Sequence, residues 1–350
     1  MRFFHIADTH LGAVPDAGFP WSEERRTEIW ESFRGVIQKA DREEIDLLLI
    51  AGDLFHRQPL MRELKELNYL FSTLKKTKVV FIIGNHDYLK ADSYYSEFPW
   101  SENVTCLMGA ECGSVVFEDL DTEVYGLSYH TREITEARYD SLKPEKKAGF
   151  SILLAHGGDA RHIPIDRKKL LLSGFDYIAL GHIHKPEIIE PNRMAYAGAL
   201  EPIDQNDTGI HGFLSGEYQD GVLKTTFVPW AVREYIPLAL DTKECPTNLA
   251  FQETVRMRMA ARGMQHIYKI VLSGYRDPDI VYDTEACRKL GNIVSVSDES
   301  VPDYDFERLG RIHAGDIAGR YIEALYHPDM SETERKALYY GIHALFEMRG

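Results

Sequence analysis

Short apolar runs that end in polar residues alternate with stretches of helical periodicity along the first half of the chain. RFFHIAD opens the series, and residues 22–41 then place Ile29, Phe33 and Ile37 on one helical face. DLLLIAGD (46–53), a helix around 60–76 and KVVFIIGNHD (78–87) follow, and SILLAHGG (151–158) and YIALGHIH (177–184) repeat the arrangement. Strand and helix in alternation predict an α/β sheet. From about 190 to 232 the texture changes to Gly-rich turns between β-like pieces, which predicts further strands of the same domain. YIPLAL (235–240) starts a new unit: a strand, a helix at about 247–263, the strand IYKIVLSG (267–274) and a helix around 283–290. From 305 onward two helices are predicted, broken at His327-Pro328-Asp329, with Ser331 and Glu334 spaced as a capping box. The expected domains are 1–232, 233–300 and 301–350.

Composition narrows the class. With 350 residues, 44% apolar and 27% charged, the chain suits one large domain plus smaller ones around an ordinary core. It has no apolar run of about 18 residues, so no membrane span is expected. The N-terminus lacks the apolar core of a secretory signal. Cys106, Cys112, Cys245 and Cys287 show no CxxC spacing. Reduced thiols and a cytoplasmic location are therefore expected, with neither a disulfide framework nor a zinc knuckle. A net charge of −15 disfavours nonspecific attraction to phosphate backbones. Residues 233–297 hold nine Lys/Arg and eight Asp/Glu, so the acidity resides elsewhere.

The strand ends carry the chemistry. In order they are Asp8-Thr9-His10, Gly52-Asp53, Gly84-Asn85-His86-Asp87, His156 and Gly181-His182-Ile183-His184. Ligands of open α/β sheets collect at the carboxyl ends of strands, so these groups converge on one region. In extended backbone, residues two apart share a face, so both histidines of His-Ile-His can reach one cluster. Carboxylates, an amide and imidazoles form an oxygen and nitrogen donor set. It suits a pair of divalent ions better than a closed structural zinc site. Singly, each residue has a plain reading. His10 or His156 alone is an ordinary hydrogen-bonded histidine, Asp8 or Asp53 alone a cap, and Gly84-Asn85 a turn. Their joint occurrence at successive strand ends distinguishes the set.

The series DTH, GD, GNHD, AH and GHIH resembles the calcineurin-like metallophosphoesterase superfamily across about 200 residues. Within it, FFHIADTHLG, GDLFHRQ and AYAGALEP are similar to the SbcD-type DNA-repair nucleases, although Ala199 stands where a serine is common. The resemblance implies a four-layer α/β/β/α core, a small α+β capping domain and a C-terminal helical segment. It implies two divalent ions, Mn²⁺ first. Asp8, His10, Asp53 and His184 are implied for one ion and Asp53, Asn85, His156 and His182 for the other, with Asp53 shared. His86 is implied as the residue that orients the phosphate or protonates the leaving oxygen, with Asp87 fixing its ring, and His56 as a positioner of the DNA backbone. As a plain surface residue, His56 would be a solvent-facing histidine at a helix start.

The same resemblance implies DNA as substrate, a coiled-coil ATPase of the SbcC type as partner, and a homodimer. Residues 233–297 correspond to the family's DNA-contacting cap. There Arg256, Arg258, Arg262, Lys269 and Arg276 form either a phosphate-contact face or a solvated one. Ile312, Ile317, Tyr321, Ile322 and Leu325 form a stripe for docking the ATPase or for packing on the chain's own cap. Leu60, Leu64, Leu67, Leu70, Phe71 and Leu74 serve a dimer contact or cover the chain's own sheet. A metallophosphoesterase of a small substrate, such as a cyclic nucleotide, is the other enzymatic reading. A non-catalytic scaffold is disfavoured because every expected ligand is present. A protein phosphatase is disfavoured because GDLFHRQ replaces GDxVDRG.

Overall fold

The computed structural model describes residues 1–145 and 147–347. Contacts divide the chain into two compact units, Met1–Ile236 and Pro237–Gly350. In the first, the elements run β1 (Arg2–Ile6), α1 (Ser22–Arg42), β2 (Leu47–Ala51), α2 (Met61–Ser72), β3 (Lys78–Ile82), β4 (Val104–Cys106), β5 (Gly113–Phe117), β6 (Thr122–Gly126), β7 (Phe150–His156), α3 (Arg167–Leu171), β8 (Tyr177–Gly181), β9 (Glu187–Glu190), β10 (Met194–Tyr196), β11 (Gly212–Gln219) and β12 (Val222–Pro229). Among the described residues they form two six-stranded sheets, ordered β12-β11-β1-β2-β3-β4 and β5-β6-β7-β8-β10-β9. β1 to β4 pair in parallel, as do β6, β7, β8 and β10, while the hairpin β11-β12 and the edges β5 and β9 run antiparallel.

Period-two alternation explains why the central runs read as continuously apolar. Phe3, Leu47, Leu49, Val80 and Ile82 meet Val124, Ile152, Leu154, Tyr177 and Ala179 of the other sheet in one buried layer. Their neighbours Phe4, Ile6, Leu48, Ile50, Val79 and Phe81 face the helices, against Ile29, Phe33, Val36, Ile37, Leu64, Leu67 and Phe71. The outer face of the second sheet is covered by loop residues such as Tyr129, Ile134, Tyr139 and Ile163, and by Leu170 of the five-residue α3. The architecture is thus the expected mixed α/β one, with its second helical layer shortened. Leu64, Leu67, Phe71 and Leu74 of the leucine stripe belong to the core. The stripe covers the chain's own sheet, and Leu60 alone among these six is an exposed large hydrophobic.

In the second unit, β13 (Tyr235–Asp241), which begins in the first, joins β14 (Ile267–Ser273) and β16 (Ile293–Asp298) in a three-stranded sheet. α4 (Asn248–Arg262) and α5 (Thr284–Arg288) accompany it, and β15 (Tyr275–Arg276) pairs with β17 (Val301–Pro302). The C-terminal segment forms three helices rather than two: α6 (Phe306–Ile312), α7 (Ile317–Leu325) and α8 (Glu332–Glu347). The unexpected break falls where Asp316 caps α7, its carboxylate accepting from the amides of Ala318 and Gly319. The capping box of α8 is formed: the Ser331 amide donates to Glu334 Oε2 at 2.8 Å, and the Glu334 amide to Ser331 Oγ at 3.3 Å. Ile322 is buried with Phe306, Ala318, Leu338 and Ile342, with Tyr321 and Leu325 packed against them, whereas Ile312 and Ile317 are exposed. Arg258 pairs with Glu244 at 2.6 Å and Arg276 donates to the Ile280 carbonyl at 2.8 Å, while Arg256 and Arg262 lie exposed on α4. All four cysteines are free. No helix among the described residues is long and apolar enough to cross a membrane.

Candidate metal centre

β1, β2, β3 and β8 deliver their polar residues just past their last paired positions, and β7 delivers His156 at its last. After β1 and β2 the two loops stay zipped together: the amides of Asp8, His10 and Leu11 donate to the carbonyls of Gly52, Asp53 and Leu54, and the His56 amide to that of Leu11. Asp8, His10 and Asp53 adopt φ values of 49°, 44° and 48°, in the left-handed region. Such backbone in non-glycine residues concentrates at functional sites. Gly84 is required here, because a Cβ would lie 2.1 Å from Asp53 Oδ1. Gly181 is required for a similar reason, since its Cβ would meet the Ala51 carbonyl of the facing sheet at 2.0 Å.

All seven expected ligands come together. One group is Asp8, His10 and His184, another Asp53, His156 and His182. In the first, His10 Nε2 and His184 Nε2 stand 3.0 Å apart. His184 Nδ1 donates to Asp207 Oδ2 at 3.0 Å, and His10 Nδ1 is buried without a partner. In the second, Asn85 Oδ1 lies 2.9 Å from His156 Nε2 and 3.1 Å from His182 Nδ1. Asp53 Oδ2 is 3.4 Å from His156 Nε2 and 3.9 Å from His10 Nε2, so one carboxylate oxygen lies between the groups. Its other oxygen accepts from the His86 amide at 2.9 Å. His156 Nδ1 donates to the Ala51 carbonyl at 2.9 Å, which fixes the tautomer and leaves Nε2 for a ligand role.

The electrostatics divide the imidazoles of the cluster: burial holds His10 well below its ordinary value, while two others are raised. Burial alone would lower His156, but the Asp53 carboxylate beside it raises it to about 9. His184 is likewise raised to about 9 against burial, by its hydrogen bond to Asp207 and by Asp8. Burial lifts Asp8 to about 6, whereas Asp53, despite burial, is held below the usual carboxylate range by His156. Burial and the charge of His156 hold His182 down to about 4. The converging lone pairs, the orphaned His10 nitrogen and the oxygen and nitrogen donor set all fit a pair of divalent cations.

Two residues flank the cluster. The ring of His86 lies 4.8 Å from that of His10 and 5.2 Å from that of His56, and the three imidazoles form a further close group. Burial and the neighbouring His86 hold His56 below its ordinary value. The expectation that Asp87 fixes the His86 ring is corrected. Asp87 instead accepts from the amides of Phe55 and Gly84 at 3.1 Å each and from the Tyr95 hydroxyl at 2.8 Å, while His86 Nδ1 faces the His56 carbonyl at 3.2 Å. Buried below the turn, Asp87 ties the loop after β2 to the loop after β3, and burial followed by the charge of Asp53 raises it to about 7.

Two carboxylates were missed from sequence. Asp207 supports His184, and Asp159 accepts from His182 Nε2 at 2.8 Å. Asp207 follows no strand end, whereas Asp159 stands in the loop directly after β7, beyond His156-Gly157-Gly158, where the strand-end rule could have found it. AYAGALEP does have a local role: the Ala199 amide donates to the His184 carbonyl at 2.8 Å, and a Cβ on Gly198 would meet that carbonyl at 2.6 Å.

A two-sheet α/β sandwich with this cluster defines a metal-dependent phosphoesterase. Residues 1–186 match the model of the calcineurin-like phosphoesterase domain, and the chain belongs to that family. Over 300 residues it is 28% identical to the uncharacterized metallophosphoesterase YhaO of Bacillus subtilis, covering 78% of this chain and 72% of that protein. It is 31% identical over 219 residues to the DNA double-strand break repair protein Mre11 of Methanocaldococcus jannaschii (59% of this chain, 58% of that one). To Mre11 of Archaeoglobus fulgidus it is 29% identical over 231 residues (58% and 51%). The chain therefore spans only about half the length of these Mre11 proteins. The chain is thus a metal-dependent phosphoesterase.

Proposed function

We propose that the protein is a Mn²⁺-dependent DNA nuclease of 3′–5′ exonuclease and endonuclease type, working by a two-metal mechanism. Asp8, His10, Asp53 and His184 would hold one ion, and Asp53, Asn85, His156 and His182 the other. Bound there, the ions would acidify water and stabilise charge on the phosphoryl oxygens. The chain's own residues then set the geometry. Asp207 and the Ala51 carbonyl hold the His184 and His156 rings with their Nε2 atoms toward the cluster. His86, anchored through its amide to Asp53, presents its ring beside His10, where it can orient a phosphate oxygen or give a proton to the leaving oxygen.

The observation that carries DNA over other phosphodiesters is the similarity to Mre11 proteins, and His56, whose ring joins those of His10 and His86, is compatible with it. A second imidazole beside His86 gives a backbone phosphate two places of attachment. A homodimer, an SbcC-like coiled-coil ATPase docked through residues 301–350, and a cytoplasmic location complete the proposal. A small phosphodiester such as a cyclic nucleotide is the second reading, favoured by the net charge of −15. The test is digestion of single- and double-stranded DNA with Mn²⁺, beside bis-p-nitrophenyl phosphate and cyclic nucleotides. Cleavage of DNA is expected, lowered roughly 10²–10⁴-fold in His86→Ala with metal content retained. Hydrolysis of cyclic nucleotides without DNA cleavage would establish the second reading, and normal turnover in His86→Ala would remove its catalytic role.

A further inference from the structure

The loop after β7, Gly157–Ile163, is built to hold a carboxylate against His182. Gly157 and Gly158 have φ values of 148° and 131°, and a Cβ on Gly157 would meet the His162 carbonyl at 2.4 Å. The Gly158 amide donates to the carbonyls of His162 and Ile163, closing the loop on itself. Ile163, fully buried, has φ of 37°, a conformation a β-branched residue adopts only when its surroundings impose it. Those surroundings are a two-way clasp, with Ile163 donating to the Ile134 carbonyl at 2.7 Å and Ile134 to that of Arg161 at 2.8 Å.

The loop presents Asp159. Its Oδ1 accepts from the amides of Arg161 and His162 at 2.7 and 2.9 Å. Its Oδ2 lies 2.9 Å from His162 Nδ1 and 2.8 Å from His182 Nε2. The His162 and His182 rings lie 4.6 Å apart. With Nε2 donating to Asp159, His182 turns Nδ1 toward Asn85 Oδ1 and the second ligand group, while its amide donates to Asp8 at 2.9 and 3.0 Å. Nothing comparable links Asp159 to His184, which rests on Asp207.

We propose that Asp159, steadied by His162, is a positioning residue that sets the affinity of the second metal position, the one served by Asn85, His156 and His182, separately from the first. A carboxylate behind a ligating imidazole fixes its tautomer and raises its basicity, and losing such a partner typically costs 10–100-fold in metal affinity. The inference rests on the two-metal reading above. Because Asp207 stands behind His184, each position has its own support and the two can be weakened one at a time.

The experiment is calorimetric titration of the purified chain, Asp159→Ala, Asp159→Asn and Asp207→Ala with Mn²⁺ alone, with circular dichroism to confirm folding. The native chain is expected to take up two ions. Asp159→Ala should lose roughly 10–100-fold in affinity for one ion and keep the other unchanged. Asp159→Asn retains an acceptor oxygen and should fall between, and Asp207→Ala should weaken the ion that Asp159→Ala leaves intact. Nitrogen-15 spectra of the native, metal-free chain should show His182 protonated at Nε2. Unchanged affinities in Asp159→Ala, or equal loss of both ions in a folded variant, would overturn the proposal. A native chain that binds no pair of ions would instead overturn the two-metal reading beneath it.

Discussion

His5 lies in the layer between the two sheets, fully buried, with Nε2 donating to the Leu180 carbonyl at 3.2 Å and Nδ1 accepting from the Tyr177 hydroxyl at 2.9 Å. Burial lowers it to about 3, so it stays neutral in the folded protein at any ordinary pH. The unfolded chain takes up a proton near 6.5. Stability from this residue is thus fully present above pH 6.5 and is lost as the pH falls from there toward 3. The loss is about 1.4 kcal/mol for each pH unit within that window. Urea unfolding between pH 7 and 5 should show a shallower pH slope in His5→Gln than in the native chain; equal slopes would show that His5 does not drive the acid sensitivity. RFFHIAD announced a strand, but nothing in it distinguished this histidine from the ligating ones. That distinction depends on Tyr177, 172 positions away in the chain.

α1 is fastened to the segment leading out of the first unit by ionic groups that no periodicity displays. Arg25, completely buried, donates to Glu28 at 2.6 Å, to Glu201 at 3.0 Å and to the Pro202 carbonyl at 2.9 Å. Ser32 Oγ donates to the other oxygen of Glu201 at 2.5 Å, and Arg233 pairs with Glu28 at 2.7 Å. Removing one partner of a buried pair leaves an uncompensated charge, so Glu201→Ala should destabilise by roughly 3–5 kcal/mol, read from the denaturation midpoint. A loss below about 1 kcal/mol, the range of an exposed pair, would show that Glu28 alone satisfies Arg25. α1, α2 and the central strands were legible because their apolar spacing repeats. β4, β5 and β6 were not, since β4 has only three residues and β5 alternates exposed and half-buried positions. The break between α6 and α7 was hidden because Gly315-Asp316 interrupts an otherwise unbroken helical spacing.

The metal ligands could be read from the chain because the fold places them by a simple rule. Five parallel strands end on one edge of the sandwich, and each ends in a residue that can bind an ion. What surrounds those ligands followed that rule only in part. Asp159 lies directly after β7, but Asp87 turns away from His86 to join two loops, and Asp207 arrives from an irregular segment. The acidity of the chain coexists with a centre whose carboxylates hold His156 and His184 up to about 9, while burial holds His10 and His182 down. Asp53 joins the two halves of that centre, its Oδ2 lying 3.9 Å from His10 Nε2 in one group and 3.4 Å from His156 Nε2 in the other. The central claim is therefore tested most directly by counting Mn²⁺ ions bound to the native chain and to Asp53→Ala by calorimetry with elemental analysis. Two ions in the native chain and none at comparable affinity in a folded Asp53→Ala are expected. One ion retained at full affinity in the variant would contradict the shared-carboxylate centre.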